Sequence, residues 1–167
     1  MTNRFTQVSE DPSSGFFLNN AKQLYNTLLQ CKKEEKKTIL LGVTFGLLDF
    51  VYEFQIDFPE LIVMETGGMK GRREELVREE VHEILKRGFG VKNIHSEYGM
   101  TELLSQGYSQ GNGIFRCGYT MKLFTRDIND PLTVTNQVRS GGINIIDLAN
   151  VHSCAFIETK DLGKVYS

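Results

Sequence analysis

Ile39-Leu40-Leu41-Gly42-Val43 and Leu61-Ile62-Val63-Met64 are short, unbroken apolar runs, the pattern of strands buried on both faces. Each is followed by a stretch with a different period. After the first, Phe45, Leu48, Val51 and Tyr52 recur at helical spacing, with Thr44 placed to cap that helix. After the second, Leu76, Val77, Val81, Ile84 and Leu85 share one face of a helix over Arg73–Arg87, supported by the pairs Glu74–Arg78 and Glu83–Arg87. Gly88 and Gly90 are placed to stop it, and Lys92–Ser96 reads as a third, weaker strand. Strand, helix, strand, helix, strand in this order predicts an α/β fold, a parallel sheet with helical crossovers. An amphipathic stripe over Phe17–Leu29 precedes it, and the charge run Lys32–Lys37 is a solvated connection.

The texture changes after Tyr108. Gly107, Gly111, Gly113 and Gly118 are turn formers. Between and beyond them, Ile114–Arg116, Met121–Thr125, Ile143–Asp147 and Ala155–Glu158 read as strands. The expectation is an α/β part over residues 1–108, then a smaller antiparallel β-sheet or partial barrel over 109–167. A chain of 167 residues, 40% apolar and 24% charged, has the composition of a folded domain able to bury a core.

Composition also excludes some functions. Nineteen basic and 21 acidic residues give a net charge of −2, which argues against a nucleic-acid partner held by bulk charge. Cys31, Cys117 and Cys154 form no CxxC, and with His82, His95 and His152 they make no zinc pattern. Unpaired cysteines of this kind fit a reducing, cytoplasmic compartment. The first residues lack the apolar centre of a signal peptide. The most apolar stretch, Thr38–Tyr52, is short and broken by Gly42, Thr44, Gly46 and Asp49, so no membrane span is expected.

In a parallel α/β sheet, ligands bind beyond the carboxyl ends of the strands. Two loops leave such ends here. Glu65-Thr66-Gly67-Gly68-Met69-Lys70-Gly71-Arg72-Arg73 offers paired glycines, over which a ligand can approach the backbone, and then cations at a helix start. Cations there oppose the helix dipole by roughly 0.3–1 kcal/mol each, and an anion nearby would reverse that penalty. The spacing fits neither the dinucleotide GxGxxG nor the Walker lysine loop. On its own the loop reads first as an exposed glycine turn with solvated arginines. The second loop is Ser96-Glu97-Tyr98-Gly99-Met100-Thr101-Glu102. A tyrosine at a strand end offers a flat face to a base, and a hydroxyl and carboxylate at a helix start can hold a phosphate and its Mg2+. Singly, Thr101 is as readily an N-cap and Glu102 a first-turn acid.

Together, Tyr98-Gly99-Met100-Thr101-Glu102 resembles the Tyr-Gly-x-Thr-Glu motif of the adenylate-forming superfamily: acyl-CoA synthetases, luciferases and peptide-synthetase adenylation domains. The resemblance implies that Tyr98 packs on adenine, Thr101 contacts phosphate and Glu102 helps bind Mg2+. It also places Gly67 and Gly68 beside the adenine. Thr159-Lys160-Asp161-Leu162-Gly163 resembles the family's Thr-Gly-Asp-Leu-Gly, whose aspartate grips the ribose hydroxyls, with Lys160 standing where the family has glycine. Without the resemblance, Asp161 reads as a hairpin-turn residue. The phrasing of Met64–Arg73, Ser96–Ser105 and Ile146–Thr159 is similar to LuxE-type acyl-protein synthetases.

That resemblance implies catalytic Thr101 and Glu102, metal-binding Glu102, and nucleotide-binding Gly67, Gly68, Glu97, Tyr98, Gly99, Met100, Thr101 and Asp161. The implied cofactors are ATP, passing through AMP and acyl-adenylate, and Mg2+. The implied partners are a carboxylic, fatty acid substrate and an acyl-acceptor protein thiol; the alternative within the superfamily is an aryl-acid CoA ligase resembling phenylacetate-CoA ligase, with CoA as acceptor. The family's Ser/Thr/Gly-rich phosphate loop has no match before the first strand. The resemblance thus implies a partial chain, inactive by itself, with the hinge and mobile C-terminal part beyond Ser167. A non-catalytic nucleotide- or partner-binding module is the alternative of a different class. Cys117 and Cys154 read as small strand hydrophobes, and His95 as a core histidine or a group facing the acyl pocket.

Overall fold

The computed structural model describes residues 2–67, 76–130, 132–135 and 140–166. The chain divides into two compact units, Met1–His95 and Ser96–Ser167.

The first unit holds α1 (Thr2–Ser9), α2 (Ala21–Lys33), β1 (Ile39–Val43), α3 (Thr44–Glu53), β2 (Ile62–Thr66) and α4 (Arg78–Phe89). β1 and β2 pair in parallel from Ile39–Ile62 to Val43–Thr66, which makes α3 a crossover helix. α2 starts later than its apolar stripe because Asn20 caps it, accepting the Gln23 N–H at 3.0 Å. Phe17 and Leu18 therefore precede the helix. The core gathers Leu28, Leu47, Leu48, Val51, Val63, Leu85, Phe89 and Ile94, with the Phe50 and Phe89 rings stacked at 5.6 Å. α3 buries Leu47, Leu48, Phe50 and Val51 and leaves Tyr52 exposed, so its inward face is turned from the one expected.

Two punctuation residues act differently from the sequence reading. Gly88 lies inside α4, where a Cβ would come within 2.5 Å of Val51 Cβ, so it is a close-packing position between α3 and α4. Gly90 alone ends the helix, in the left-handed conformation at φ 67°. Thr44 is the first residue of α3 and caps nothing. Its hydroxyl points to the buried Glu65 carboxylate (Oε2, 2.7 Å) and the Gly67 carbonyl (2.9 Å). A buried carboxylate draws donors more strongly than a helix end does.

β3 (Ile94–Tyr98) runs across the division between the units. The first sheet has the order β1-β2-β3-β4-β5, with β4 (Gly107–Ser109) antiparallel to β3 and β5 (Phe115–Cys117) antiparallel to β4. The change of texture at Tyr108 thus falls inside β4, and the first antiparallel strands extend the parallel sheet. The smaller antiparallel sheet follows as β6 (Met121–Arg126), β7 (Val134–Thr135), β8 (Ser140–Asp147) and β9 (Phe156–Lys164), in the order β7-β6-β8-β9. Leu103, Met121, Ile143 and Ile145 form the core of the second unit. Among the described residues, no helix is long and apolar enough to cross a membrane.

Candidate functional site

The segment Gly99–Gln106 that follows β3 is a turn. The Leu103 N–H returns to the Met100 carbonyl at 3.1 Å, and β4 begins at Gly107. No helix starts at Thr101, which corrects both the helix-start placement and the plainer N-cap reading of Thr101 and Glu102. The reason lies in the side chains around it: Leu103 is drawn into the core of the second unit, and only eight residues separate the two antiparallel strands. Thr101 and Glu102 are exposed, and Met100 packs partly against that core. Gly99 sits where a Cβ would come within 3.3 Å of Glu97 Oε1 and 3.4 Å of Gln106 Cγ. Glu97 lies opposite Tyr108 in the β3–β4 register, and burial pushes its carboxyl above the ordinary range.

Tyr98 is half-buried, edge-on to Phe115 at 6.1 Å. Its hydroxyl donates to Asp161 Oδ2 at 2.6 Å, across 63 residues of sequence. Burial, followed by this bond and the Asp161 charge, pushes the phenol well above its ordinary range. Asp161 is exposed but does not occupy a hairpin turn. β9 runs on to Lys164, and Asp161 belongs to a bulge within it. Gly142 pairs with Leu162 and Asn144 with Glu158, so Ile143 alone faces Thr159, Lys160 and Asp161. The surplus residues bend out of the ladder, as bulges do where a side chain must be re-aimed. Inside the bulge the Asp161 N–H donates to Thr159 Oγ1 at 3.2 Å, and that hydroxyl donates to the Ile143 carbonyl at 3.0 Å.

Two residues given no functional role from the sequence hold the Thr101–Glu102 turn from below. Asp147, at the end of β8, has no exposed surface. Its Oδ2 accepts the Leu104 and Ser105 N–H groups at 2.9 Å each. Its Oδ1 accepts the Ser105 hydroxyl at 2.6 Å and the Ala149 N–H at 3.1 Å. Burial by itself would raise this carboxyl, but the bonds from Ser105, Leu104 and Ala149 outweigh it and hold it below the ordinary range. Asn150 Nδ2 donates to the Glu102 carbonyl at 2.6 Å and to the Cys154 carbonyl at 2.9 Å. The signal for Asp147 was present: alternation along β8 puts it on the inward face with Ile143 and Ile145, where a carboxylate must be satisfied.

Gly67 closes β2 at φ 75°, a conformation that suits glycine. Gly68 and the cations Lys70, Arg72 and Arg73 lie outside the described residues. Glu65 is buried near His82 Nε2 (3.7 Å) and Arg78 Nη1 (3.9 Å). Among the described residues, no group of three or more His, Cys, Asp or Glu side chains is placed to hold a metal ion. The exposed Glu102 carboxylate fits Mg2+ as a single oxygen donor, since Mg2+ commonly takes one or two carboxylates and fills its shell with water and phosphate. A cavity of about 410 Å³ in the second sheet is lined by Phe124, Val134, Ile146 and Phe156 among others, with Asn144 and Glu158. It shares no residue with either motif.

The fold has counterparts among solved structures. ATP-bound MatB from Rhodopseudomonas palustris aligns over 83% of this chain and 30% of its own, with TM-score 0.55 and 14% identity. A 2-hydroxyisobutyryl-CoA ligase in complex with 2-HIB-AMP and CoA aligns over 90% of this chain and 35% of its own, with TM-score 0.60 and 12% identity. A long-chain-fatty-acid-CoA ligase from Archaeoglobus fulgidus gives 0.52 over 90% of this chain and 35% of its own, at 15% identity. The chain therefore has the fold of part of these ligases and spans about a third of their length. No protein-family model matches the sequence, and no curated protein does.

Proposed function

We propose that this chain forms the adenylate-binding part of a ligase that activates a carboxylic acid with ATP. The observation that carries the reading is the Tyr98–Asp161 hydrogen bond. It unites, on one surface of the second unit, the adenine and ribose residues of two motifs far apart in sequence. Tyr98 seats adenine, flanked by Glu97, Gly99 and Met100; the resemblance gives Gly67 and Gly68 an adenine role as well. Thr101 donates to the α-phosphate, and Asp161 accepts from the ribose hydroxyls. Glu102 holds Mg2+, which supplies charge neutralisation at the phosphates when bound. The chain's contribution is positioning and charge stabilisation as the substrate carboxylate attacks the α-phosphorus, forming acyl-adenylate and releasing pyrophosphate.

The resemblance to LuxE-type synthetases supports a fatty acid as substrate and a protein thiol as acceptor, and the unpaired cysteines support a cytoplasmic setting. CoA as acceptor is the second reading, favoured by two of the matched structures being CoA ligases, one of them in complex with CoA.

Calorimetry with AMP and with 2′,3′-dideoxy-AMP tests the reading. Charge-assisted hydrogen bonds contribute roughly 1.5–3 kcal/mol each, and the exposure of Asp161 puts them at the low end. Asp161→Asn should weaken AMP about tenfold, equivalent to about 1.4 kcal/mol, and leave the dideoxy ligand unchanged. Equal affinity of the wild type for the two ligands would sink the assignment. ATP–pyrophosphate exchange by this chain alone should stay at background, as the reading of a partial chain requires. Exchange by a longer chain carrying these residues marks an enzyme, whereas background exchange there with AMP binding intact marks a nucleotide-binding module.

A further inference from the structure

The bulge that presents Asp161 has a keystone. Three residues of β9 stand against Ile143 at the bulge, and the Ile143 and Thr159 carbonyls there accept from a side chain. Arg126, the last residue of β6, lies where it can serve both. Nη1 donates to the Ile143 carbonyl at 3.0 Å and to Asn144 Oδ1 at 2.8 Å, and Nη2 donates to the Thr159 carbonyl at 2.7 Å. Nε faces Glu158 Oε1 at 3.2 Å. One planar, permanently charged fork thus meets four acceptors on two strands, a task that fits guanidinium and not ammonium. The side chain is 13% exposed, so these bonds are little screened by water.

Gly142 supplies an independent sign that the neighbourhood is built around this group. A Cβ there would come within 2.5 Å of Arg126 Cζ and within 2.7–2.8 Å of Nη2 and Nη1. The strand is bare where the guanidinium lies flat on it. Asn144 and Glu158, the polar residues lining the nearby cavity, are both engaged by Arg126. This is the arrangement of a structural brace with no ligand-facing donor assigned to it.

We propose that Arg126 is a positioning residue that sets the Thr159–Asp161 bulge, and through it the aim of the Asp161 carboxylate at a nucleotide's ribose. The second half rests on the reading of Asp161 given above. The first half does not, because the bulge also sets the Tyr98–Asp161 bond, which can be read without any nucleotide. Gly142→Ala is the discriminating variant. Its clash falls on the far end of a flexible side chain, so it displaces the guanidinium without deleting it and leaves the strand free to fold.

The experiment uses chain labelled with 13Cζ-tyrosine. The Tyr98 resonance is identified by its loss in Tyr98→Phe, and its shift on breaking the Asp161 bond is calibrated with Asp161→Ala, since an asparagine oxygen could still accept from the phenol. Arg126→Met and Gly142→Ala should each move it toward the Asp161→Ala position, with Arg126→Lys in between. The same variants are then titrated with AMP and 2′,3′-dideoxy-AMP. AMP should weaken about tenfold, the dideoxy ligand should not, and adding Arg126→Met to Asp161→Asn should cost nothing further. An unmoved Tyr98 resonance in folded Gly142→Ala and Arg126→Lys overturns the proposal, whatever the ligands do. A moved resonance with equal affinity for the two ligands keeps Arg126 as the brace and overturns the ribose reading instead. Weakening of both ligands alike in Arg126→Met assigns Arg126 to general stability and overturns its positioning role.

Discussion

Asp147→Asn keeps the shape of the most heavily bonded side chain in the second unit and removes one acceptor oxygen. The amide oxygen belongs at the Oδ2 position, where two fixed N–H groups, of Leu104 and Ser105, point at 2.9 Å. The amide nitrogen then occupies the Oδ1 position. There the Ser105 hydroxyl, which also meets Thr120 Oγ1 at 2.7 Å, can rotate and accept. The Ala149 N–H cannot rotate and is left facing a donor. One charge-assisted bond is lost and three are weakened, so the cost is about 2–4 kcal/mol. That corresponds to roughly 4–16 °C in Tm for a chain of this size. Asp147→Ala strands three donors and should cost more. The pH dependence carries the sign. The folded carboxyl is more acidic than the unfolded one, so its stabilisation is complete above the unfolded pKa of about 3.9 and is lost as pH falls through the folded value. Urea unfolding followed by circular dichroism from pH 7 to pH 3 should therefore show the variant less stable at neutral pH and less sensitive to acid. A variant within 0.5 kcal/mol of wild type, about the scatter of neutral surface changes, with an unchanged acid slope, would refute the account of this carboxylate.

Three further outcomes are expected. Glu102→Gln should remove the Mg2+ dependence of ATP binding, read as the difference between titrations with Mg2+ and with EDTA, while Tm stays within about 2 °C because the exposed carboxylate stabilises little; an unchanged Mg2+ dependence excludes it as the ligand. Tyr98→Phe keeps the ring and frees Asp161 from its 2.6 Å bond, so AMP should bind as well as to wild type or several-fold tighter; a tenfold loss in calorimetry would show that the hydroxyl itself holds the nucleotide. Gly88→Ala should destabilise by about 1–3 kcal/mol in urea unfolding, since the new methyl overlaps Val51 inside a packed helix contact; a neutral or stabilising result would mean that α3 and α4 are not in contact there.

The parallel part of the fold was legible because its signals are local. Continuous apolar runs placed β1 and β2 to within a residue or two, and helical spacing placed α3 and the body of α4, although α4 begins only at Arg78, after Leu76 and Val77. What misled was punctuation. Thr44 and Gly88 have the residue types of a cap and a stop, but a buried glutamate and a neighbouring helix claimed them. The Thr101–Glu102 segment looked like a helix start because a carboxylate after a hydroxyl suits one. Nothing local says that Gly107 returns immediately as an antiparallel strand. The bulge at Asp161 was invisible for the same reason. It exists only in the pairing of β8 with β9, and Arg126, which satisfies it, stands 35 residues upstream of Asp161.

The β8–β9 hairpin reaches the Tyr98–Ser105 segment at both ends. Near its tip, Asp147 and Asn150 hold the backbone of Glu102, Leu104 and Ser105. Farther along β9, Asp161 takes the Tyr98 hydroxyl. The segment is therefore held through main-chain groups, the Ser105 hydroxyl and the Tyr98 phenol, and the Thr101 and Glu102 side chains are left exposed. Such a division of labour suits the role proposed for this turn. Side chains left to meet phosphate and metal would not also have to satisfy the backbone that carries them, because buried groups from another element do so. Stability and binding then respond to different residues: substitutions at Asp147 and Asn150 should lower Tm first, whereas those at Thr101 and Glu102 should be nearly silent in unfolding and visible only with a nucleotide present. Asp161 falls between the two sets, because through its bond with Tyr98 it is itself a partner in the fold.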